Sequence, residues 1–104
     1  MLNEFEKLKN LIGLAQKAGK IKSGDAAVLE AIEKKSIKLI IIAEDTAQSV
    51  KTELDKANKS DIPIIVFGDK VLLGDIIGKS PRGMLGIADT GFAVAIKEKY
   101  DALY

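Results

Sequence analysis

Two short segments, far apart in the chain, carry residue types that bind anions. The first contains Lys20, Lys22 and Gly24, and the second contains Lys79 and Arg82. Lysine and arginine neutralise phosphates, and backbone amides at the start of a helix can donate to the same anion. If the fold brings the two segments to one end of a sheet, they form a compact phosphate-binding patch. If it does not, these side chains are solvated surface charges.

Catalytic chemistry has little support in the composition. The chain has no cysteine and no histidine, which removes thiol nucleophiles and the general base most used near neutral pH. Two carboxylate pairs, Asp69 with Asp75 and Glu44 with Asp45, are candidates for magnesium binding or acid–base work. Asp45 and Asp69 also stand where helix N-caps are expected, and capping explains them without catalysis. We therefore expect a protein that is not an enzyme, with no metal site and no cofactor.

Four glycines in the second half of the chain suggest a phosphate-binding loop. They are Gly74, Gly78, Gly83 and Gly86, and their spacing fits neither a Walker loop nor a dinucleotide-binding fingerprint. We interpret them as residues that end helices and allow close packing, with a backbone cradle for phosphate as the alternative.

Length and composition favour one small domain. The chain has 104 residues, 47% of them hydrophobic, which is enough for a modest core, so residues 1–104 are assigned to a single domain. The 16 basic residues face 15 acidic ones, so any contact with nucleic acid must come from local clustering. No apolar window reaches the length of about 18 residues that a membrane span requires, and the N-terminus lacks a signal-peptide pattern. These features predict a cytoplasmic protein with no membrane partner.

The hydrophobic pattern alternates helices with short strands. A central unit over residues 18–45 combines a short edge strand at Ile21, a helix with Val28 and Ile32 on its apolar face, and a buried strand. A helix that leads into a buried strand and then another helix indicates an α/β architecture. Further predicted helices cover 3–18, 47–59, 70–77 and 92–103, and the longer predicted strands cover 39–43, 64–67 and 84–88.

Polar residues are predicted to cap two of these helices. Ser23 is expected to be the N-cap of the second helix, with Asp25 in the first turn, where a negative charge suits the helix dipole. The segment Glu44-Asp45-Thr46, where the buried strand ends, is expected to provide the N-cap of the third helix.

Motifs along most of the chain resemble one known superfamily. The matching motifs are Gly19-Lys20-Ile21-Lys22, Gly24, Ala31-Ile32-Glu33, Lys38-Leu39, Ile42-Ala43-Glu44-Asp45, Ile62-Pro63, Leu73-Gly74 and Ile77-Gly78. In type and order they resemble the archaeal and eukaryotic large-subunit proteins written "L seven Ae" and "L thirty e", which bind kink-turn RNA. Asp89-Thr90-Gly91-Phe92-Ala93 is similar to the bacterial YlxQ-type branch. The resemblance implies a three-layer α-β-α sandwich around a four-stranded mixed β-sheet.

The same resemblance implies a small, non-catalytic, ribosome-associated protein that binds structured RNA, in particular ribosomal RNA. The family reads the sheared G·A pairs of a kink-turn with the Asn, Glu and Lys of Gly-x-Asn-Glu-x-x-Lys, and Ala26, Ala27 and Glu30 occupy those positions here. Loss of a base-reading side chain costs about 1–3 kcal/mol, so we expect contacts to the RNA backbone instead of specific kink-turn recognition. The expected RNA-binding residues are Lys20, Lys22, Gly24, Asp25, Glu44, Lys79, Ser80, Arg82 and Gly83.

The altered start of the second helix also allows a different function. Ala26 and Ala27 are small, so a protein surface can approach this helix closely. The alternative hypothesis is therefore a protein–protein adaptor in the translation machinery, with ribosomal proteins or translation factors as partners.

Overall fold

The computed structural model of the chain describes residues 2–104 and is organised around a four-stranded sheet. The strand order is β1-β4-β2-β3. β4 lies between β1 and β2 and is antiparallel to both, whereas β2 and β3 are parallel. The predicted mixed sheet is thus confirmed, including the edge strand at Ile21. The strands are β1 (Ile21–Ser23), β2 (Leu39–Ile42), β3 (Ile64–Val66) and β4 (Met84–Ile87).

Helices cover both faces of this sheet. One face packs against α1, α4 and α5 through side chains such as Leu8, Leu73 and Ile96. The other face packs against α2 and α3, which contribute Val28 and Leu54. This arrangement is the three-layer α-β-α sandwich that the sequence predicted. The helices are α1 (Glu4–Lys17), α2 (Asp25–Glu33), α3 (Gln48–Ala57), α4 (Lys70–Ile76) and α5 (Thr90–Leu103).

β2 runs through the middle of the core, and all four of its residues are buried. Ile40 and Ile42 pack into the layer of α2 and α3, while Leu39 and Ile41 pack into the layer of α1, α4 and α5. A strand covered on both faces needs a continuous apolar run, because every side chain enters one of the two layers. The isoleucine-rich run therefore predicted this strand correctly.

The N-cap of α2 differs from the prediction. Ser23 is the last residue of β1, and Gly24 is the N-cap, with a φ of 95° and no side-chain cap. The backbone N–H of Gly24 donates to Met84 O at 3.0 Å, so sheet pairing continues one residue beyond Ser23 and keeps that residue extended. The turn into the helix then falls on glycine, which adopts a positive φ without steric cost.

The N-cap of α3 that was predicted within Glu44-Asp45-Thr46 is also wrong. The N-cap of α3 is Ala47, while Thr46 is buried and its Oγ1 donates to Gly83 O at 2.9 Å. Asp45 and Asp69 do act as caps, as expected, but both cap α4. Asp45 Oδ1 accepts from Lys70 N at 2.9 Å, and Asp69 Oδ1 accepts from Leu72 N at 2.8 Å. Capping thus accounts for both carboxylates.

Two helix ends lie elsewhere than predicted because polar side chains close the neighbouring turns. Asp89 accepts a hydrogen bond from Phe92 N at 2.8 Å, so α5 begins at Thr90 and includes residues predicted as a turn. Asn58 ends α3 two residues early, since its side chain donates to Ile62 O and accepts from Ile62 N at 2.9 and 2.8 Å.

The helices within residues 2–104 are all too short or too polar to cross a lipid bilayer.

Candidate nucleic-acid interface

Three helices begin at one edge of the sheet. β1 and β2 point the same way, because each is antiparallel to β4, and β3 is parallel to β2. The carboxyl ends of these strands therefore share an edge, and α2, α3 and α4 start there. In α/β sheets, this is the edge where ligands bind most often. Each helix also directs the positive end of its dipole toward this edge.

The helices differ in how their first N–H groups are satisfied. α2 and α3 have no side-chain cap, whereas α4 receives hydrogen bonds from Asp45 and Asp69. The first N–H groups of a helix have no partner within the helix. The starts of α2 and α3 can therefore donate backbone hydrogen bonds to an anion.

A concave surface lies between these helix starts and the loop before β4. We call it the end cavity; its volume is about 580 Å³. It is lined by the first turns of α2 and α3, by the first residue of α4, and by the last residues of the loop. The lining includes Gly24, Asp25, Ala26, Ala27, Thr46, Lys70, Arg82 and Gly83.

Gly83 lines the end cavity with backbone that carries no side chain. Its carbonyl accepts from Ala43 N at 2.9 Å in addition to the bond from Thr46. A Cβ at this position would lie 3.4 Å from Thr46 Oγ1, 3.5 Å from Asp25 Oδ1 and 3.7 Å from Lys70 Cε. A hydroxyl, a carboxylate and a lysine stem thus surround backbone that carries no side chain, so a ligand can approach it closely.

The cationic groups at the cavity have no carboxylate partner. Among residues 2–104, no ion pair includes Lys70 or Arg82. Arg82 Nη1 donates to Ser80 Oγ at 2.6 Å and to Ser80 O at 3.1 Å, while its backbone N donates to Lys70 O at 3.0 Å. The loop therefore holds the guanidinium in place and leaves its charge unneutralised.

The structure brings four of the nine expected site residues together. Gly24, Asp25, Arg82 and Gly83 all line the end cavity. Glu44 lies at the same edge, where its backbone N donates to Gly68 O at 2.8 Å, but it is not part of the lining.

The other expected residues lie farther away. Lys79 and Ser80 belong to the loop that leads to the end cavity, and Lys22 is an exposed residue in the middle of β1. Lys20 is at the opposite edge of the sheet, where its carbonyl accepts from Ala88 N at 2.8 Å. Gly24 lies four positions farther along this extended segment, a distance of about 13 Å. The first basic segment is therefore spread along the sheet.

The cavity residues that were not predicted as site residues include Lys70 and Thr46. Lys70 opens α4, and Thr46 anchors the loop through Gly83. The sequence contains one signal for Lys70, because a residue at the start of a helix that follows a parallel strand lies at the ligand-binding edge of an α/β sheet. Applying that rule requires the strand directions, which the hydrophobic pattern does not give.

The outer face of α2 carries an exposed acidic group. Lys34 Nζ lies 2.7 Å from Glu30 Oε1, and this hydrogen bond and charge hold the pKa of Glu30 below its usual value, with a smaller contribution from Lys22. Glu30 is therefore ionised at neutral pH. Its charge lowers the positive potential around Lys22.

Thr46→Val tests how the loop is anchored. Valine keeps the shape of threonine but removes the hydroxyl that donates to Gly83 O, so we expect a loss of about 1 kcal/mol and a fall in Tm of about 4–8 °C. Thr52→Val is the control, because Thr52 makes a similar hydrogen bond to Gln48 O on the exposed side of α3. Thermal unfolding measures the Tm of both variants, and we expect the lower Tm for Thr46→Val. Equal Tm values for the two would contradict the assigned role of Thr46.

Comparisons with known proteins match most of the chain. The sequence model described as "Ribosomal protein L7Ae/L30e/S12e/Gadd45 family" matches residues 6–96. The "RNA-binding protein YlxQ" of Enterococcus faecium is 34% identical over 94 residues, which cover 89% of this chain and 90% of that protein. The protein of the same name from Bacillus subtilis (strain 168) is 34% identical over 84 residues, covering 80% of this chain and 84% of the relative.

Solved structures show the same fold. A protein of unknown function from Bacillus halodurans C superposes with a TM-score of 0.86 at 32% identity, covering 91% of this chain and 97% of that chain. The 15.5kD RNA binding protein of Giardia lamblia gives a TM-score of 0.76 at 24% identity, covering 100% of this chain and 93% of the other. The second likeness is one of fold alone.

Proposed function

The chain belongs to the ribosomal protein L7Ae/L30e/S12e/Gadd45 family, in its YlxQ-type branch, and we propose that it binds structured RNA without catalysing a reaction. Relatives that are 34% identical over most of the chain are named RNA-binding proteins. The observation that carries the proposal is the end cavity, where uncapped helix starts and unpaired cations surround bare backbone. This is the arrangement that a phosphate group requires.

In the proposed complex, the RNA backbone enters the end cavity. Phosphates accept hydrogen bonds from the first N–H groups of α2 and α3, and Lys70 and Arg82 supply the neutralising charge. Gly24 and Gly83 allow close approach, while Asp25 accepts from a ribose hydroxyl. Lys22, Lys79, Ser80 and Glu44 flank this contact, and Lys20 reaches only an RNA that extends along β1.

Specific kink-turn recognition is not part of the proposal. Ala26 and Ala27 offer no hydrogen bonds to base edges, and Glu30 places a negative charge where the family motif has a lysine. Phosphate contacts fix the position of a protein on RNA but carry no sequence information. We therefore propose backbone-directed binding to ribosomal RNA in the cytoplasm.

Removing the two cavity cations tests this function. We expect Lys70→Ala combined with Arg82→Ala to weaken binding to ribosomal RNA transcripts and to flatten the salt dependence. Each lost phosphate contact reduces the slope of log Kobs against log[salt] by about 0.7–0.9. Filter binding at several salt concentrations measures both quantities.

The control carries the same change of charge at the other end of α3. Lys56→Ala with Lys59→Ala removes two exposed lysines that form no ion pair within residues 2–104. If the control and the cavity variant lose the same slope, the end cavity is not the RNA-binding surface.

A protein–protein adaptor is the second candidate function. Ala26 and Ala27 are exposed in the first turn of α2 and leave a smooth apolar surface at the end cavity. A ribosomal protein or translation factor that copurifies after nuclease treatment, and is lost with Ala26→Arg, would favour the adaptor. Loss of all partners on nuclease treatment would favour RNA.

A further inference from the structure

A second groove lies on the opposite layer of the sandwich, between α1 and α4. We call it the α1–α4 groove; its volume is about 590 Å³. Its lining includes Lys9, Asn10, Gly13, Lys17 and Gly78. None of these residues contributes to the end cavity.

The groove contains hydrogen-bond donors that have no partner. Lys17 forms no ion pair within the described chain, and the side chains of Asn10 and Gln16 make no hydrogen bond there. Two carbonyls at the end of α1 already have partners, since Ala18 N donates to Leu14 O at 2.9 Å and Lys20 N donates to Ala15 O at 2.9 Å. The free ammonium group of Lys17 and the amide N–H groups beside it can donate to an anionic ligand.

Gly13 keeps the floor of the groove open. It lies inside α1, where glycine costs about 0.5–1 kcal/mol relative to alanine. Packing does not require it, because a Cβ at position 13 would approach Ile76 O only to 3.7 Å, an ordinary contact. The helix therefore carries a destabilising residue whose visible effect is to leave backbone exposed in the groove.

The loop before β4 connects the α1–α4 groove with the end cavity. Gly78 lines the groove, and the loop that it begins ends at Arg82 and Gly83 in the cavity. The loop returns along α4, since Lys79 N donates to Gly74 O and Arg82 N donates to Lys70 O. The seven residues of α4 span about 10 Å, so one RNA can reach both places.

We propose that the α1–α4 groove is a second contact for the sugar-phosphate backbone of the RNA held in the end cavity. This inference rests on the proposed function. Lys17 is its principal cation, since Lys9 also pairs with Glu6 at 3.7 Å. Asp75 is the carboxylate of the lining, and its repulsion of phosphate weakens this contact.

Opposite changes of charge in the groove provide the test. With the ribosomal RNA transcripts used above, Lys17→Gln is expected to lower affinity about two- to fivefold, the range of an exposed charge pair, and to reduce the salt slope by about 0.7–0.9. Asp75→Asn is expected to raise affinity about two- to fivefold for the same reason. Lys56→Gln is the matched control, because Lys56 occupies the last turn of α3 as Lys17 occupies the last turn of α1.

The outcomes separate this inference from the proposed function. If the cavity variant loses slope while Lys17→Gln behaves like Lys56→Gln, the groove is not an RNA contact and the end cavity remains the site. If Lys17→Gln leaves the slope unchanged but releases a protein that copurifies after nuclease treatment, the groove binds protein and the inference is overturned. If the transcripts bind without any salt dependence, both proposals fail.

Discussion

Restoring the three polar readers on α2 is expected to convert the chain into a selective kink-turn binder. The variant is Ala26→Asn with Ala27→Glu and Glu30→Lys. Each base-reading side chain contributes about 1–3 kcal/mol of discrimination, so two of them raise the preference for kinked RNA over an unkinked duplex about 30-fold or more. The new lysine removes a charge that repels phosphate and adds one that attracts it.

The fold can accept these substitutions. Ala26 and Ala27 are exposed at the end cavity, and the Glu30 side chain is 64% exposed. The ion pair with Lys34 is lost, but an exposed pair at this spacing contributes only about 0.3–0.5 kcal/mol. Stability is therefore expected to change little.

Calorimetric titration with a kink-turn RNA and an unkinked duplex of equal length measures the preference. Glu33→Gln is the control, since it changes the net charge by +1, as the triple variant does, but one turn away from the motif. A native chain that already prefers the kink-turn as strongly as the triple variant would show that Ala26, Ala27 and Glu30 do not limit recognition.

Of the single substitutions considered, Gly74→Ala is expected to lower the free energy of unfolding most. A Cβ at position 74 would overlap Ser80 O and would lie 2.7 Å from Ser80 C and 2.8 Å from Lys79 O. These are backbone atoms, so the whole loop must move away from α4. Overpacking of this kind costs about 1–3 kcal/mol, which corresponds to a fall in Tm of about 4–24 °C for a domain of this size.

The same substitution should weaken RNA binding, because the displaced loop carries Arg82 and Gly83. Gly13→Ala is the control for stability: it too lies inside a helix, but its Cβ makes only ordinary contacts. Because alanine is more favourable than glycine inside a helix, Gly13→Ala should be as stable as the native chain or more stable by up to about 1 kcal/mol. A Tm for Gly74→Ala within a degree of the native value would contradict the close packing of loop and helix.

The sequence predicted the layers of this fold because each layer leaves a local pattern. The continuous apolar run of β2 and the helical spacing of Val28 and Ile32 are properties of neighbouring residues. The N-caps of α2 and α3 were mispredicted for the opposite reason. Pairing of Gly24 with Met84, and burial of Thr46 against Gly83, are decided by residues more than 30 positions away.

The candidate site shows the same limit. Arg82 and Gly83 line the end cavity because they directly precede β4, a strand that the sequence predicted. The positions of Lys20 and Lys70 could not be predicted in this way, because they depend on the directions of the strands. Lys20 precedes β1 and therefore lies at the edge opposite the end cavity, whereas Lys70 follows β3 and lies at the end cavity.

The pairing of β1 with β4 joins the beginning of the chain to its last strand. When only the first 80 residues of a nascent polypeptide have left the ribosome, it lacks β4, the strand with which β1 and β2 pair. It therefore lacks the carbonyls of Gly83 and Met84, which accept from Ala43 N and Gly24 N. The end cavity forms only after β4 has been synthesised, since such distant contacts must wait for the later partner. A chain that stops before β4 therefore lacks the surface that we propose for RNA.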